Sequence, residues 1–170
     1  MKLDLKQFAQ EPGAVLTFSF QMDLSGVEWN GARPFTQPIE AEGRVRNMAG
    51  ALMLSARLTA ELSLSCDRCA KPFVRGKTVD YETLLALELA NGEDGDIVLL
   101  DPDGALELDE LLQEVFLLEM DTKNLCSEDC RGICPGCGAD LNHESCRCKR
   151  EVDPRLAKLA QLLEQEDDEP

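Results

Sequence analysis

The chain has 170 residues, 44% of them hydrophobic, and a formal net charge of −16. That length is enough to bury a core without disulfide staples, and that acidity disfavours broad binding to phosphate backbones. No apolar run reaches the roughly eighteen residues of a membrane-spanning helix, and MKLDLKQFAQEPG holds no leader-like stretch, so the sequence points away from membranes and towards a reducing cytoplasm where stable disulfides are rare.

In chain order, LDLKQFAQEPG reads as a short helix, capped by Asp4 and ended by Pro12-Gly13. AVLTFSF (14–20) alternates as a strand, and SGVEWNGARPFTQP reads as a long loop. IEAEGRVRNM resumes β character before a turn at Ala49-Gly50. The clearest periodicity follows. Leu52, Leu54, Ala56, Leu58, Ala60, Leu62, Leu64 and Cys66 hold every second position, with mostly polar residues between them. Period two over that length predicts a long strand with one buried face; an amphipathic helix would scatter those leucines around its circumference.

CDRCAKP then reads as a hairpin tip and FVRGKTVDYETLLALEL as the returning strand. DIVLL and ALEL flank DPDG, a second expected hairpin. Asp109 is placed to cap a helix running to about Met120, with Leu111, Leu112, Val115, Phe116 and Leu118 largely on one side. After the cysteine-rich stretch, Asp153 and Pro154 announce a last helix carrying Leu156, Leu159, Ala160 and Leu163, followed by an acidic tail.

All eight cysteines fall in pairs. C-x2-C occurs at Cys66 and Cys69, C-x3-C-x3-C-x2-C at Cys126, Cys130, Cys134 and Cys137, and C-x-C at Cys146 and Cys148. A two-residue spacer lets both thiolates of a turn face one ion, and Zn²⁺ takes four such ligands in a tetrahedron. In CPGCG, Pro135 stiffens the turn while Gly136 and Gly138 are expected to supply positive φ. The eight make two Cys₄ sites or one site with spare thiols. The contiguous set Cys134, Cys137, Cys146, Cys148 is the natural local site, with Cys126 and Cys130 joining Cys66 and Cys69; spacing alone leaves the opposite allotment open.

Each Zn(Cys)₄ centre is a net dianion, which nearby cations offset. Arg68, Lys71, Arg131, Arg147, Lys149 and Arg150 cluster beside the cysteines. Elsewhere bases are sparse: residues 80–121 carry fourteen acids and no base. A thioredoxin-like redox pair would put C-x-x-C at a helix start, whereas Cys66 ends a strand. His143, the only histidine, reads as an exposed loop residue rather than a ligand. No nucleophile elbow, HExxH or phosphate loop is present, and a zinc filled by four sulfurs has no open position for water. The acids of DPDG and DELLQE read as solvent-facing. No enzyme is expected.

CDRCAKPF after a long alternating strand, then LCSEDCRGICPGCGADLN, CRC and DPRLAKLAQLL, resembles the YceD family, named for large ribosomal RNA subunit accumulation. The likeness extends over nearly the whole chain and is most specific at the cysteine-rich end. It implies a non-enzymatic bacterial or organellar protein that supports synthesis, processing or stability of 23S ribosomal RNA, with the eight cysteines at the family's cysteine positions.

The combined expectation is an α+β fold: a predominantly antiparallel β core with a few short helices and a zinc-stabilised cysteine-rich C-terminal segment. Residues 1–121 form the β core with a helix at 109–120, and 122–170 form the zinc-binding segment and C-terminal helix packed on it. One or two structural Zn²⁺ ions are the expected cofactor. Expected partners are ribosomal RNA or ribosome-assembly proteins, a basic protein above all. The alternatives are a zinc-thiolate redox switch, or a protein-interaction adaptor unrelated to RNA.

Overall fold

The computed structural model describes residues 1–48, 51–87 and 97–148. The expected turn at Ala49-Gly50, the last helix from Asp153 and the acidic tail lie outside the described residues. Contacts divide the chain into two compact units: Met1–Asp67 with Lys71–Glu128, and Arg68–Ala70 with the chain from Asp129.

The first unit is built on a five-stranded sheet. Its strands are β2 (Val15–Met22), β3 (Ile39–Met48), β4 (Ala51–Ser65), β5 (Pro72–Ala86) and β6 (Ile97–Leu99), in that order across the sheet. All neighbours are antiparallel except β5 and β6. A second sheet pairs β1 (Lys2–Asp4) with β7 (Ala105–Glu107). One α-helix among the described residues, α1 (Leu108–Leu118), completes the unit. The fold is mostly β, as the alternating pattern predicts.

β4 shows why. Leu52, Leu54, Ala56, Leu58, Ala60, Leu62 and Leu64 are all buried, and the residues between them face outward or stand half-buried. The strand spans fifteen residues and pairs in unbroken register with β5 from Leu52↔Leu85 to Ser65↔Pro72. Leu54, Leu58 and Leu62 join Ile39, Val45, Leu108, Leu112 and Phe116 in one core, where Phe35 meets Phe116 edge-on at 6.0 Å. On the inner face of β3 the backbone at Gly43 lies under the Phe18 ring. A Cβ there would stand 2.3 Å from the Ser55 carbonyl oxygen and 2.6 Å from Phe18 Cζ. Only glycine fits.

Three expectations are corrected. The opening segment is not an α-helix: β1 is followed by a single 3-10 turn at Phe8–Gln10, and Asp4 accepts the Lys6 N–H at 3.1 Å in a local turn. Leu3 and Leu5 are buried, and pairing with β7 satisfies the backbone where a helix this short would not. DPDG does make a tight turn, with Gly104 donating to the Asp101 carbonyl at 2.8 Å, but the flanking strands form no ladder together. β6 adds to β5 and β7 takes β1, because Leu5 donates to the Gly104 carbonyl at 2.9 Å and brings the N-terminal strand alongside. Finally, α1 starts at Leu108 with Glu107 in the capping position and no side-chain cap bond. Asp109 sits inside the first turn, where its charge favours the positive end of the helix dipole. Leu108, Leu112 and Phe116 are the buried stripe, whereas Leu118 is 85% exposed.

No helix of the described residues is long and apolar enough to cross a membrane.

Candidate metal centre

The hairpin tip between β4 and β5 carries the first cysteine pair. Cys66 donates its N–H to the Lys71 carbonyl at 2.9 Å, and Ala70 takes a positive φ of 58°, closing the turn that the sequence places there. Within the first unit, Asp67 ties this tip to the chain just before Cys126. Its N–H donates to the Asn124 carbonyl at 2.8 Å, and its carboxylate accepts the Asn124 N–H at 2.6 Å. The same stretch is held from β5. Arg75 lies over the Phe73 ring at 5.1 Å and donates to the Leu125 carbonyl, while Lys77 pairs with Asp121 at 3.3 Å.

In the second unit the knuckle CPGCG is closed by two backbone bonds. Cys134 donates to the Ala139 carbonyl at 2.8 Å and Gly138 to the Cys134 carbonyl at 2.9 Å. Gly138 takes the expected positive φ of 74°. Gly136 does not; its need is for space, because a Cβ there would approach Cys148 Sγ to 3.0 Å. Arg68 also belongs to this unit. It donates to the Cys130 carbonyl at 2.6 Å, and its own carbonyl accepts the Ile133 N–H at 2.9 Å.

The eight sulfurs gather as two quartets: Cys66, Cys69, Cys126 and Cys130, and Cys134, Cys137, Cys146 and Cys148. Within each quartet all sulfurs lie within 4.8 Å of one another. Both clusters can hold a metal ion. A tetrahedral Zn²⁺ with Zn–S bonds near 2.3 Å requires sulfurs roughly 3.8 Å apart. In the second quartet the separations are 3.2 Å for Cys134–Cys146, 3.7 Å for Cys137–Cys146 and 3.9 Å for Cys134–Cys148. All are far beyond the roughly 2.05 Å of a disulfide; the latter two match the edge of a zinc–sulfur tetrahedron, and Cys134–Cys146 is shorter than that edge. The donor set fits the ion.

Protonation agrees with that chemistry. The N–H of Cys137, then the Cys146 thiol and the Gly136 N–H, bring the Cys134 thiol down to about 6. Hydrogen bonding to Cys137, then to Cys146 and Cys134, pushes Cys148 up to about 12, and the bond to Cys134 also raises Cys146. One thiolate is therefore held by neighbours that keep their protons. Four thiolates this close repel one another, and a divalent cation in their midst is what lets all four ionise.

His143 stands apart from both quartets, 71% exposed, with Nε2 3.8 Å from an Asp140 oxygen. Of the cysteine-proximal bases, Lys149 and Arg150 lie outside the described residues. Asn142 carries no signal in the sequence, yet its side chain does three things: its oxygen accepts the Arg131 N–H at 2.8 Å, and its amide donates to Asp140 at 2.8 Å and to Cys130 Sγ at 3.6 Å. Metal-site motifs are written in ligands, and a hydrogen-bond donor to a ligand sulfur has no fixed spacing to betray it.

Residues 54–163 match the family described as large ribosomal RNA subunit accumulation protein YceD, a span that holds most of β4, all of β5 and α1, and all eight cysteines. The chain belongs to the YceD family. Its relatives include an uncharacterized Mycobacterium tuberculosis protein, 29% identical over 99% of this chain and 84% of the relative. The uncharacterized protein YlbN of Bacillus subtilis is 25% identical over 99% of both chains. A Zea mays relative, named large ribosomal RNA subunit accumulation protein YCED homolog 1, chloroplastic, is 26% identical over 70% of this chain and 51% of its own length. No solved structure gives a significant match. The YceD match begins at Leu54, inside β4, so it takes in both cysteine-bearing segments and leaves β1 to β3 outside.

Proposed function

We propose that this YceD-family chain is a non-enzymatic cytoplasmic factor that supports accumulation of 23S ribosomal RNA, with Zn²⁺ held by its eight cysteines. The observation that carries the reading is the family match over residues 54–163, which coincides with the part of the chain bearing both cysteine quartets. Zn²⁺ at a four-sulfur site supplies four metal–ligand bonds and leaves no position for a substrate or water. Its contribution is to folding: ligands far apart in sequence are held together at an energy that a short, loop-rich segment cannot find in apolar burial.

The charge pattern favours a basic protein as the direct partner. Residues 80–121 carry fourteen acids and no base, and the whole chain carries −16, so a phosphate backbone is repelled except near the cysteine-proximal arginines and lysines. A ribosome-assembly protein rich in Lys and Arg suits this charge, and Arg68, Lys71 and Arg147, next to cysteines in the sequence, are the candidates for local RNA contact.

The test is replacement of the gene in the organism that encodes it. Loss of the chain is expected to lower 23S relative to 16S ribosomal RNA, with recovery from the wild type and none from a Cys134→Ser/Cys137→Ser variant. An unchanged ratio would overturn the reading. Affinity capture of the full chain with and without RNase separates the alternatives: an adaptor unrelated to RNA brings down no ribosome-assembly protein, and a redox switch loses metal and regains it reversibly under mild peroxide.

A further inference from the structure

β2 is one edge of the five-stranded sheet. β3 occupies one side of it, and among the described residues no strand pairs with the other. Its eight residues, VLTFSFQM, include no charge and no proline, and its register with β3 runs without a bulge from Val15↔Arg46 to Met22↔Ile39. Sheet edges in soluble proteins are blunted by those devices, because an open row of N–H and C=O groups invites another strand. This edge has none of them. Its inward side chains Leu16 and Phe20 are only half-buried, and Phe18 beside them reaches the core.

The neighbouring strand says what would fill it. On the outer face of β3, exposed Glu40 and Glu42 stand beside Gln21 and Ser19, and exposed Arg44 and Arg46 beside Thr17 and Val15. The edge is acidic at one end and basic at the other. An identical edge laid antiparallel against it reverses that order. A two-fold axis through Phe18 sets Phe18 against Phe18, Leu16 against Phe20 and Thr17 against Ser19 of the second copy. The row Glu42–Ser19 then continues into Thr17–Arg44 of the second copy, and Glu40–Gln21 into Val15–Arg46. Moving the axis to Ser19 puts Glu42 in line with Glu42, and moving it to Thr17 puts Arg44 in line with Arg44. Only the Phe18-centred register alternates sign in both rows. The facing charges are three strand spacings apart, about 14 Å, so they bias the register only at low salt, and the backbone ladder and the Leu16–Phe20 contacts hold it.

We propose that the chain self-associates as a symmetric dimer through β2, forming one continuous ten-stranded sheet centred on Phe18. This does not depend on the ribosomal reading. The experiment is mass measurement by light scattering on the full chain over a concentration series, with two exposed-face variants. Thr17→Lys/Ser19→Lys and Thr17→Asp/Ser19→Asp each set like charges opposite one another across the two-fold, and a mixture of the two sets opposite charges there. Wild type is expected at twice 18.8 kDa. Each variant alone is expected to associate at least about tenfold more weakly, and the mixture to recover a dimer of one copy of each. Wild type at the single-chain mass throughout would overturn the proposal, as would a dimer indifferent to both variants, or variants whose mixture stays monomeric. The recovery arm also excludes misfolding, since an unfolded variant cannot be rescued by its complement.

Discussion

At Cys134 and Cys148 the same four-sulfur cluster moves two thiols in opposite directions. Backbone N–H groups hold Cys134 down to about 6, whereas its neighbours hold the Cys148 proton on up to about 12. Metal binding to this quartet must therefore expel protons, chiefly from the raised thiols. Affinity is expected to climb as pH rises from about 6 towards about 12 and to collapse in acid, read by competition with a chromophoric chelator; a flat profile would show that thiols are not the ligands. Asn142 acts on the other quartet. Asn142→Ala removes the acceptor of the Arg131 N–H and one donor to the Cys130 sulfur, at an expected cost of about 1 kcal/mol in metal-loaded thermal unfolding. A Gly136→Ala substitution drives a methyl group towards Cys148 Sγ at 3.0 Å; faster zinc loss to a chelator is expected, with the sheet unaffected.

The cysteine spacing made the gathering of these thiols legible without coordinates, because two-residue spacers and a proline-glycine knuckle encode a local geometry. Spacing favoured Cys126 and Cys130 as the partners of Cys66 and Cys69 but left the opposite allotment open. The allotment is set by contacts of long sequence separation, such as Asp67 to Asn124, that no local pattern records. The same limit hid Asn142 and misread Gly136, whose constraint is a neighbouring sulfur rather than its own φ.

Among the elements, β4 was the most legible, since period-two burial over fifteen residues admits one structure. Leu58 lies at its middle with no exposed surface. Leu58→Ala is expected to cost about 2–5 kcal/mol, seen as a lower urea midpoint. Gly43→Ala should also destabilise, through collision with the Ser55 carbonyl and the Phe18 ring rather than a cavity, and Phe18→Leu in the same chain should recover part of the loss. Short elements were misread for a common reason. Three-residue strands such as β1, β6 and β7 carry too little periodicity to name their partners. Burial of Leu3, Leu5, Leu106 and Leu108 decides the pairing instead, which is why the N-terminal segment forms a strand and DPDG does not join a hairpin. α1 was found from its apolar stripe, but its start moved one residue because the Leu108 N–H finds the Met1 carbonyl at 2.9 Å.

Over the whole molecule, an acidic β-sheet unit and a cysteine-rich unit share one chain, and the family match spans parts of both. On the proposed reading the sheet supplies stability, metal at the sulfur clusters braces the chain, and the charge selects a basic partner. Metal bracing is the central claim. Native mass spectrometry of the full chain, purified without exposure to oxidant, decides it. Two zinc ions per chain are expected, falling to one in Cys134→Ser/Cys137→Ser. A wild-type chain that is folded and carries no metal, or a variant with undiminished zinc, would contradict the account.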